Sequence, residues 1–252
     1  RHCLIINNGS VMELSQPHDI LERVIGEYLP TDQRLYDMMK RSYDILNNHP
    51  LNVERAKQGL NKANSLWFWG AGTKPLLTSF EEKTGKRGAM ISAVDLLKGI
   101  AVGAGMKVVQ VEGADGTLHT NYEGKAKAAV DVLLKEGYDF VYVHVEAPDE
   151  MGHQGSIDRK VKAIEYLDEK VVRPVKKAMD ASGEDYRMLI LPDHPTPIAC
   201  RTHTSDPIPY LLYDSTDTGI KTETAQYNEK QAAAGGILVS EGYRLIEKLL
   251  EE

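Results

Sequence analysis

The feature that most constrains the fold is a regular alternation of strand-like apolar runs with helical patterns, which begins near Ser65 and continues toward the C-terminus. Predicted strands span residues 66–69, 88–92, 107–111, 140–145, 188–191 and 208–213, and predicted helices span residues 80–83, 93–104, 124–136, 157–181 and 236–251. Strands that alternate with helices are typical of βαβ crossovers. The sequence therefore predicts an α/β fold with a mostly parallel sheet and helices on both faces.

The first 63 residues follow a different pattern. An apolar run at residues 3–7 predicts a strand, and helical patterns follow at residues 20–28 and 32–47. The dipeptide His49-Pro50 predicts an interruption, because a proline disfavours helix at the residue before it. The pattern of residues 1–63 therefore differs from that of residues 64–252, which we predict to form the α/β domain.

Composition excludes several classes of protein. The net charge is −7, and no basic stripe is present, so we expect no nucleic-acid partner. No apolar run approaches the ~20 residues that a membrane-spanning helix needs, so we expect no membrane span. The two cysteines, Cys3 and Cys200, are too few for a disulfide framework and favour a cytoplasmic location. Because the chain begins at Arg1 and enters an apolar run at once, we interpret it as a fragment.

Candidate metal ligands cluster in three short segments beside predicted strands. Residues 146–153 follow the strand at 140–145, residues 191–195 follow the strand at 188–191, and residues 202–207 precede the strand at 208–213. Ligands in α/β sheets bind beyond the carboxyl ends of the strands. The segments contain five candidate ligands: Asp149, His153, Asp193, His194 and His203.

The residue types of this set favour two divalent ions. Mixed carboxylate and imidazole ligands suit Mn²⁺, Zn²⁺ or Co²⁺ better than an all-oxygen Mg²⁺ or Ca²⁺ site. Five ligands exceed what one tetrahedral ion needs, and a pair of ions clamps the oxygens of a transferring phosphoryl group. Taken singly, each segment has an ordinary interpretation, such as a helix cap or a surface histidine. Their combination favours a metal site.

The same segments carry a resemblance to a known family. The stretches VHVEAPDE at residues 143–150, LPDHPTP at 191–197 and HTSDPIP at 203–209 resemble the archaeal-type cofactor-independent phosphoglycerate mutases of the alkaline phosphatase superfamily. Residues 63–72 and 91–100 extend the likeness, which covers nearly the whole chain. The resemblance implies an alkaline phosphatase-like fold with a smaller inserted α+β domain, and residues 1–63 would be the remainder of that insertion.

The resemblance also implies a division of the ligands. Asp149, His153 and His203 would hold one ion, and Asp193 and His194 would hold the second. The second ion would also need an aspartate near the family's N-terminus, and catalysis would need a nucleophilic serine. No segment of this chain matches either residue. We expect Mn²⁺ foremost, with Zn²⁺, Co²⁺ or Mg²⁺ as alternatives.

The implied reaction interconverts 3-phosphoglycerate and 2-phosphoglycerate through a phosphoserine, as a step of glycolysis and gluconeogenesis. The substrate is thus a small phosphorylated acid, and Arg1, His18 and Lys125 are candidate substrate contacts. The alternatives are a surface charge for Arg1, a loop histidine for His18 and a solvated helix lysine for Lys125. Without the serine, we predict that this chain alone is inactive. An incomplete sheet would favour association into a homo-oligomer.

Two other classes of function stay open from the sequence. The same scaffold and ligands would serve a phosphatase, a phosphonate hydrolase or a homoserine-kinase-like enzyme. A binding module with a vestigial site would carry the same histidines and aspartates as structural residues. Metal analysis separates the last class from the enzymes, and substrate comparison separates the enzymes from one another.

Overall fold

A computed structural model of the chain describes residues 2–20, 22–217, 219, 226–235 and 237–251. Arg1 lies outside the described residues, as does the side chain of His18. By its internal contacts the chain divides into two compact units, Arg1–Pro75 and Leu76–Glu252, called here the N-terminal unit and the C-terminal unit. The assignment of residues 1–63 to an inserted domain stays a prediction. Among the described residues, no helix combines the length and the apolar character needed to cross a membrane.

The N-terminal unit is built on two helices, α1 (Gln33–Asn47) and α2 (Pro50–Lys57). The side chain of Asp32 caps α1 by accepting a hydrogen bond from the backbone N–H of Leu35 at 2.9 Å. The predicted interruption at His49 is confirmed, because α1 ends at Asn47, His49 is the N-cap of α2 and Pro50 occupies the first turn of α2. A proline is well tolerated there, since the N–H it lacks would have no partner within the helix.

Three other predictions for the N-terminal unit are wrong. The pattern at residues 20–28 does not form an α-helix; short 3₁₀ helices lie at Pro17–Ile20 and Ile25–Tyr28. Residues 3–7 and 66–69, which were predicted as strands, lie outside helix and strand. A strand exists only where a partner completes its hydrogen-bond ladder, and an apolar run cannot specify that partner.

Asn52 joins three parts of the N-terminal unit. Its side-chain amide donates to the carbonyls of Leu46 at 2.8 Å and Ala63 at 2.9 Å, and its Oδ1 accepts from the N–H of Ala63 at 2.9 Å. The residue is buried. The side chain thus satisfies backbone groups at the end of α1 and in the segment that follows α2.

We expect Asn52→Ala to lower the free energy of unfolding of the N-terminal unit by about 2–4 kcal/mol, because it leaves buried backbone groups without partners. Both tryptophans of the chain, Trp67 and Trp69, lie in this unit, so tryptophan fluorescence in a urea titration reports its unfolding. Asn48→Ala is the control, because the Asn48 side chain makes an exposed bond to the Asp44 carbonyl at 3.3 Å. Equal effects of the two substitutions would contradict the prediction.

The C-terminal unit contains a parallel sheet of three strands in the order β2-β1-β3. The strands are β1 (Gly88–Ile91), β2 (Lys107–Val109) and β3 (Phe140–Val143). The helices α3 (Phe80–Thr84), α4 (Asp95–Gly103) and α5 (Tyr122–Leu134) lie before and between them. Strand β1 is central and fully buried, as expected of a parallel sheet. The α/β prediction is thus confirmed.

A second sheet pairs β4 (Arg187–Ile190) with β5 (Leu211–Asp214) in the antiparallel direction. Strand β4 is half-buried and β5 is partly exposed. Of the helix predicted over residues 236–251, only a 3₁₀ turn at Gly242–Arg244 and the short helix α10 (Leu245–Leu250) are helical, and another short helix, α9 (Glu229–Gly235), lies before the predicted range. Residue 236 lies outside the described residues.

The long helix predicted over residues 157–181 has three parts. They are α7 (Ile157–Leu167), a π-helical turn at Asp168–Val172, and α8 (Arg173–Ser182). Pro174 lacks the N–H that would continue the α-helical hydrogen bonds, which accounts for a change of helix type just before it. Along these helical segments, Val171 and Met179 are buried, but Ile164 is exposed.

The main core of this unit lies where α5, α7 and the π turn meet the helix α6 (Ala147–His153), which directly follows β3. Its buried members are Leu118, Tyr122, Ala126, Ala147, Met151, Ala163 and Val171. Ala147 and Met151 on α6 are almost completely buried in this core. The packing therefore fixes the orientation of α6, which carries two of the predicted metal ligands.

Candidate metal centre

Helix α6 presents Asp149 and His153 on one face, because residues four apart in a helix are neighbours. The Nε2 atom of His153 lies 3.3 Å from Oδ2 of Asp149. His203, from the loop before β5, places its Nε2 atom 3.2 Å from that of His153 and 3.4 Å from Oδ1 of Asp149. Three atoms that can ligate a cation thus face one another.

The spacing of these atoms fits a bound divalent ion. Nitrogen and oxygen ligands lie about 2.0–2.2 Å from a tetrahedral ion, so pairs of them are about 3.3–3.5 Å apart. The separations in the triad of Asp149, His153 and His203 are 3.2, 3.3 and 3.4 Å, at or just below this range. Two unprotonated imidazole nitrogens in contact repel each other unless a proton or a cation lies between them. The triad therefore has the donor types and the spacing of a metal site.

The backbone fixes the tautomer of His153. Its Nδ1 atom lies 2.9 Å from the carbonyl oxygen of Arg201. A carbonyl only accepts hydrogen bonds, so Nδ1 carries the proton and Nε2 keeps its lone pair toward the triad. Arg201 adopts a left-handed backbone conformation with φ of 53°, which is uncommon for a residue with a side chain. This turn directs its carbonyl toward His153.

The second predicted pair adjoins the triad. Asp193 and His194 follow β4, and the Nε2 atom of His194 lies 3.3 Å from Oδ2 of Asp193. The ring of His194 packs on that of His203, with 3.7 Å between centroids and 31° between planes. The buried Thr196 donates from its Oγ1 to Oδ1 of Asp149, and this Oγ1 also lies 3.3 Å from Nδ1 of His194. The structure therefore brings all five predicted ligands into one cluster.

Charge and burial around the cluster change several pKa values. Burial raises the pKa of Glu146, and the neighbouring carboxylates of Glu150 and Asp149 raise it further. Burial lowers the pKa of His144, which favours the neutral ring. Nδ1 of His144 lies 3.2 Å from Oγ of Ser92, so this histidine is hydrogen-bonded beside the cluster. Burial also raises the pKa of Tyr142, helped by the charge of Asp193.

The predicted substrate contacts are less well supported. Arg1 and the side chain of His18 lie outside the described residues. Lys125 is fully buried, so both the solvated-lysine interpretation and direct contact with a substrate in solution disagree with its position. Its Nζ donates to the carbonyl of His144 at 2.9 Å, and burial lowers its pKa. Lys125 thus supports the backbone at the end of β3, because helix α5 packs against this strand.

Sequence reasoning missed the residues that hold the ligands in place. Thr196 lies two residues after His194, and a threonine at this spacing gives no indication of its partner on α6. The carbonyl of Arg201 is a backbone group, so no residue type predicts it. Thr196 could have been suspected from the sequence only as a hydroxyl residue close to the Asp193-His194 pair. The side chains that ligate a metal usually have a hydrogen-bonding partner of this kind.

Comparison with known proteins gives consistent matches. The family model described as Metalloenzyme superfamily matches residues 29–241. A probable 2,3-bisphosphoglycerate-independent phosphoglycerate mutase of Geobacter sulfurreducens is 46% identical over 255 residues, covering 100% of this chain and 63% of the relative. The 2,3-bisphosphoglycerate-independent phosphoglycerate mutase of Methanosarcina barkeri is 49% identical over 245 residues, covering 94% of this chain and 60% of the relative.

Solved structures with the same fold are also similar. The PH0037 protein from Pyrococcus horikoshii is 32% identical with a TM-score of 0.65, covering 82% of this chain and 54% of that one. The cofactor-independent phosphoglycerate mutase from Thermoplasma acidophilum is 25% identical with a TM-score of 0.52, covering 86% of this chain and 51% of that one. The chain therefore spans about three fifths of the curated relatives and about half of the solved structures.

Proposed function

The chain belongs to the Metalloenzyme superfamily, and from that membership we propose that it is the metal-binding part of a cofactor-independent phosphoglycerate mutase. The reaction is the interconversion of 3-phosphoglycerate and 2-phosphoglycerate through a phosphoserine. The proposal concerns a whole protein, because the chain spans 63% of the Geobacter sulfurreducens relative. The observation that carries it is the meeting of the triad with Asp193 and His194.

The proposed cofactors are two divalent ions, one at the triad of Asp149, His153 and His203 and one at Asp193 and His194. Mn²⁺ is the first candidate and Zn²⁺ and Co²⁺ are alternatives, because mixed nitrogen and oxygen ligands suit these ions, whereas Mg²⁺ is an alternative that prefers oxygen ligands. Bound divalent ions would lower the pKa of an attacking hydroxyl and neutralise phosphate charge. The chain's own contribution is to hold its imidazoles in the tautomer that ligation requires, as the Arg201 carbonyl does for His153.

The proposed substrate is a small phosphorylated acid. Arg1, His18 and Lys125 stay candidates for its recognition, and Lys125 is the least supported of the three, because it is buried and donates to the carbonyl of His144. The cytoplasmic location and association into a homo-oligomer stay predictions. The nucleophilic serine and the remaining ligands of the second ion belong, in this proposal, to segments that the longer relatives carry.

The activity test compares the 252-residue chain with the same chain fused to the portion of the Geobacter sulfurreducens relative that lies outside the match. Both proteins are loaded with Mn²⁺ and assayed with 3-phosphoglycerate. We expect no turnover by the chain alone, since its proposed nucleophile is missing. The fusion is expected to turn over at about 1–10³ s⁻¹, the usual range for enzymes.

A fused His153→Ala variant is the control, because loss of a ligand should abolish turnover without removing the added segment. An aryl phosphate is tested in parallel. Hydrolysis of the aryl phosphate without mutase activity would replace this proposal with a phosphatase on the same scaffold. A folded, metal-loaded fusion that converts neither substrate would leave the mutase proposal without support and favour the binding module.

A further inference from the structure

A buried hydroxyl links the two predicted sets of metal ligands. Thr196 is 4% exposed and lies on the loop after β4. Its Oγ1 donates to Oδ1 of Asp149, which belongs to the triad, and lies 3.3 Å from Nδ1 of His194, which belongs to the second pair. One side chain therefore contacts a ligand from each set.

The direction of these hydrogen bonds follows from proton counting. A threonine hydroxyl carries one proton, and an ionised carboxylate only accepts. Because the Thr196 proton goes to Asp149, Oγ1 can only accept from His194. For this 3.3 Å contact to be a hydrogen bond, Nδ1 of His194 must carry a proton, and in a neutral ring the lone pair then lies on Nε2, which faces Oδ2 of Asp193 at 3.3 Å.

The backbone of Thr196 is held independently of its hydroxyl. Nζ of Lys160 donates to the carbonyl of Thr196 at 2.6 Å, and the N–H of Thr204 donates to the carbonyl of Pro195 at 3.2 Å. Gly152 lets helix α6 pack closely against the loop that carries Thr196, since a Cβ at residue 152 would lie 2.6 Å from the Thr196 carbonyl oxygen. Removal of the hydroxyl should therefore leave the loop in place.

We propose that Thr196 is a positioning residue that couples the two ligand sets, by orienting the carboxylate of Asp149 and fixing the tautomer of His194. The inference rests on the metal site proposed above. It assigns no ligand bond to Thr196 itself. Loss of the hydroxyl should weaken metal binding through both ligands, whereas a second hydroxyl residue should preserve it.

The test uses the 252-residue chain with Thr196→Val, which keeps the side-chain shape, and Thr196→Ser, which keeps the hydroxyl. Mn²⁺ binding is measured by electron paramagnetic resonance of the free ion. We expect Thr196→Val to weaken binding by about 10–100-fold, the usual effect of losing a partner of a metal ligand, and Thr196→Ser to stay within about threefold of the original chain.

Thr204→Val is the matched control. The Thr204 Oγ1 is also buried near the site, but it has no hydrogen-bond partner within the described part of the chain. The same substitution there should leave Mn²⁺ affinity unchanged. If Thr204→Val weakened binding as much as Thr196→Val, the effect would reflect general packing and the proposal would be wrong.

A second measurement separates this inference from the proposed function. Nitrogen-15 NMR of the imidazoles in the metal-free chain reports the tautomer of His194. We expect Nδ1–H in the original chain and in Thr196→Ser, and a mixture of tautomers in Thr196→Val. An unchanged tautomer in Thr196→Val would overturn the inference even if the chain binds Mn²⁺. If no variant binds Mn²⁺, the proposed metal site fails, and the tautomer alone decides the role of Thr196.

Discussion

Replacement of Gly152 with alanine is expected to lower the free energy of unfolding of the C-terminal unit by about 2–3 kcal/mol, as overpacking of a filled core does. We also expect Mn²⁺ affinity to fall by about tenfold or more, because supports of metal ligands have effects of that size. Urea unfolding followed by circular dichroism and a Mn²⁺ titration measure the two effects. This unit contains no tryptophan, so fluorescence from that residue cannot report its unfolding.

The reason is the position of Gly152 between the two ligands of α6. An added Cβ would lie 2.6 Å from the carbonyl oxygen of Thr196 and 3.0 Å from both Nζ of Lys160 and Cγ2 of Thr196. The lysine can move its end, but a backbone carbonyl cannot rotate away alone. Either α6 or the loop after β4 must shift, and that shift separates Asp149 from Thr196.

Gly99→Ala is the control, because we expect it to raise the free energy of unfolding of the C-terminal unit. Gly99 lies in α4, is exposed, and has no atom within 4 Å of its would-be Cβ. Alanine at such a helical site stabilises by about 0.4–1 kcal/mol, because it restricts the unfolded chain more than glycine does. If Gly152→Ala were also stabilising and left Mn²⁺ affinity unchanged, the close approach of α6 to the Thr196 loop would be wrong.

Much of the candidate site was predictable because its geometry follows from local patterns. Asp149 and His153 are four residues apart on a helix, and this spacing alone places them on one face. Asp193 and His194 directly follow β4, as predicted from the apolar run that precedes them. Convergence of these segments at strand ends is a general property of α/β sheets.

The remaining features depend on partners that the sequence does not specify. The apolar run before Asp214 predicted a strand, but its antiparallel pairing with β4 depends on the path of the intervening chain. Lys125 was predicted as a candidate substrate contact, with a solvated helix lysine as the alternative, yet α5 packs so that its ammonium reaches the carbonyl of His144. A long flexible side chain gives no sequence indication of such a buried contact.

Asp149→Asn is expected to abolish the stabilisation that Mn²⁺ gives to the original chain. At a Mn²⁺ concentration 100 times the dissociation constant, binding adds about 2.7 kcal/mol to the free energy of unfolding. In a domain of this size, that raises Tm by roughly 5–10 °C. Asparagine keeps an oxygen for Thr196 but loses the charge between His153 and His203, so the shift should fall to about 1 °C. Differential scanning calorimetry with and without Mn²⁺ measures it.

Without Mn²⁺, we expect Asp149→Asn not to lower the Tm of the chain. Asp149 repels Glu146, whose pKa is raised in part by the charges of Glu150 and Asp149. Without metal, Asp149→Asn relieves this repulsion, so Tm should be equal to or above that of the original chain. Glu150→Gln removes the same charge from the adjacent exposed position and should keep the full Mn²⁺ shift. If Mn²⁺ still raised the Tm of Asp149→Asn by the full amount, this carboxylate would be excluded as a ligand. A merely structural role of Asp149 predicts a lower Tm for Asp149→Asn both with and without Mn²⁺.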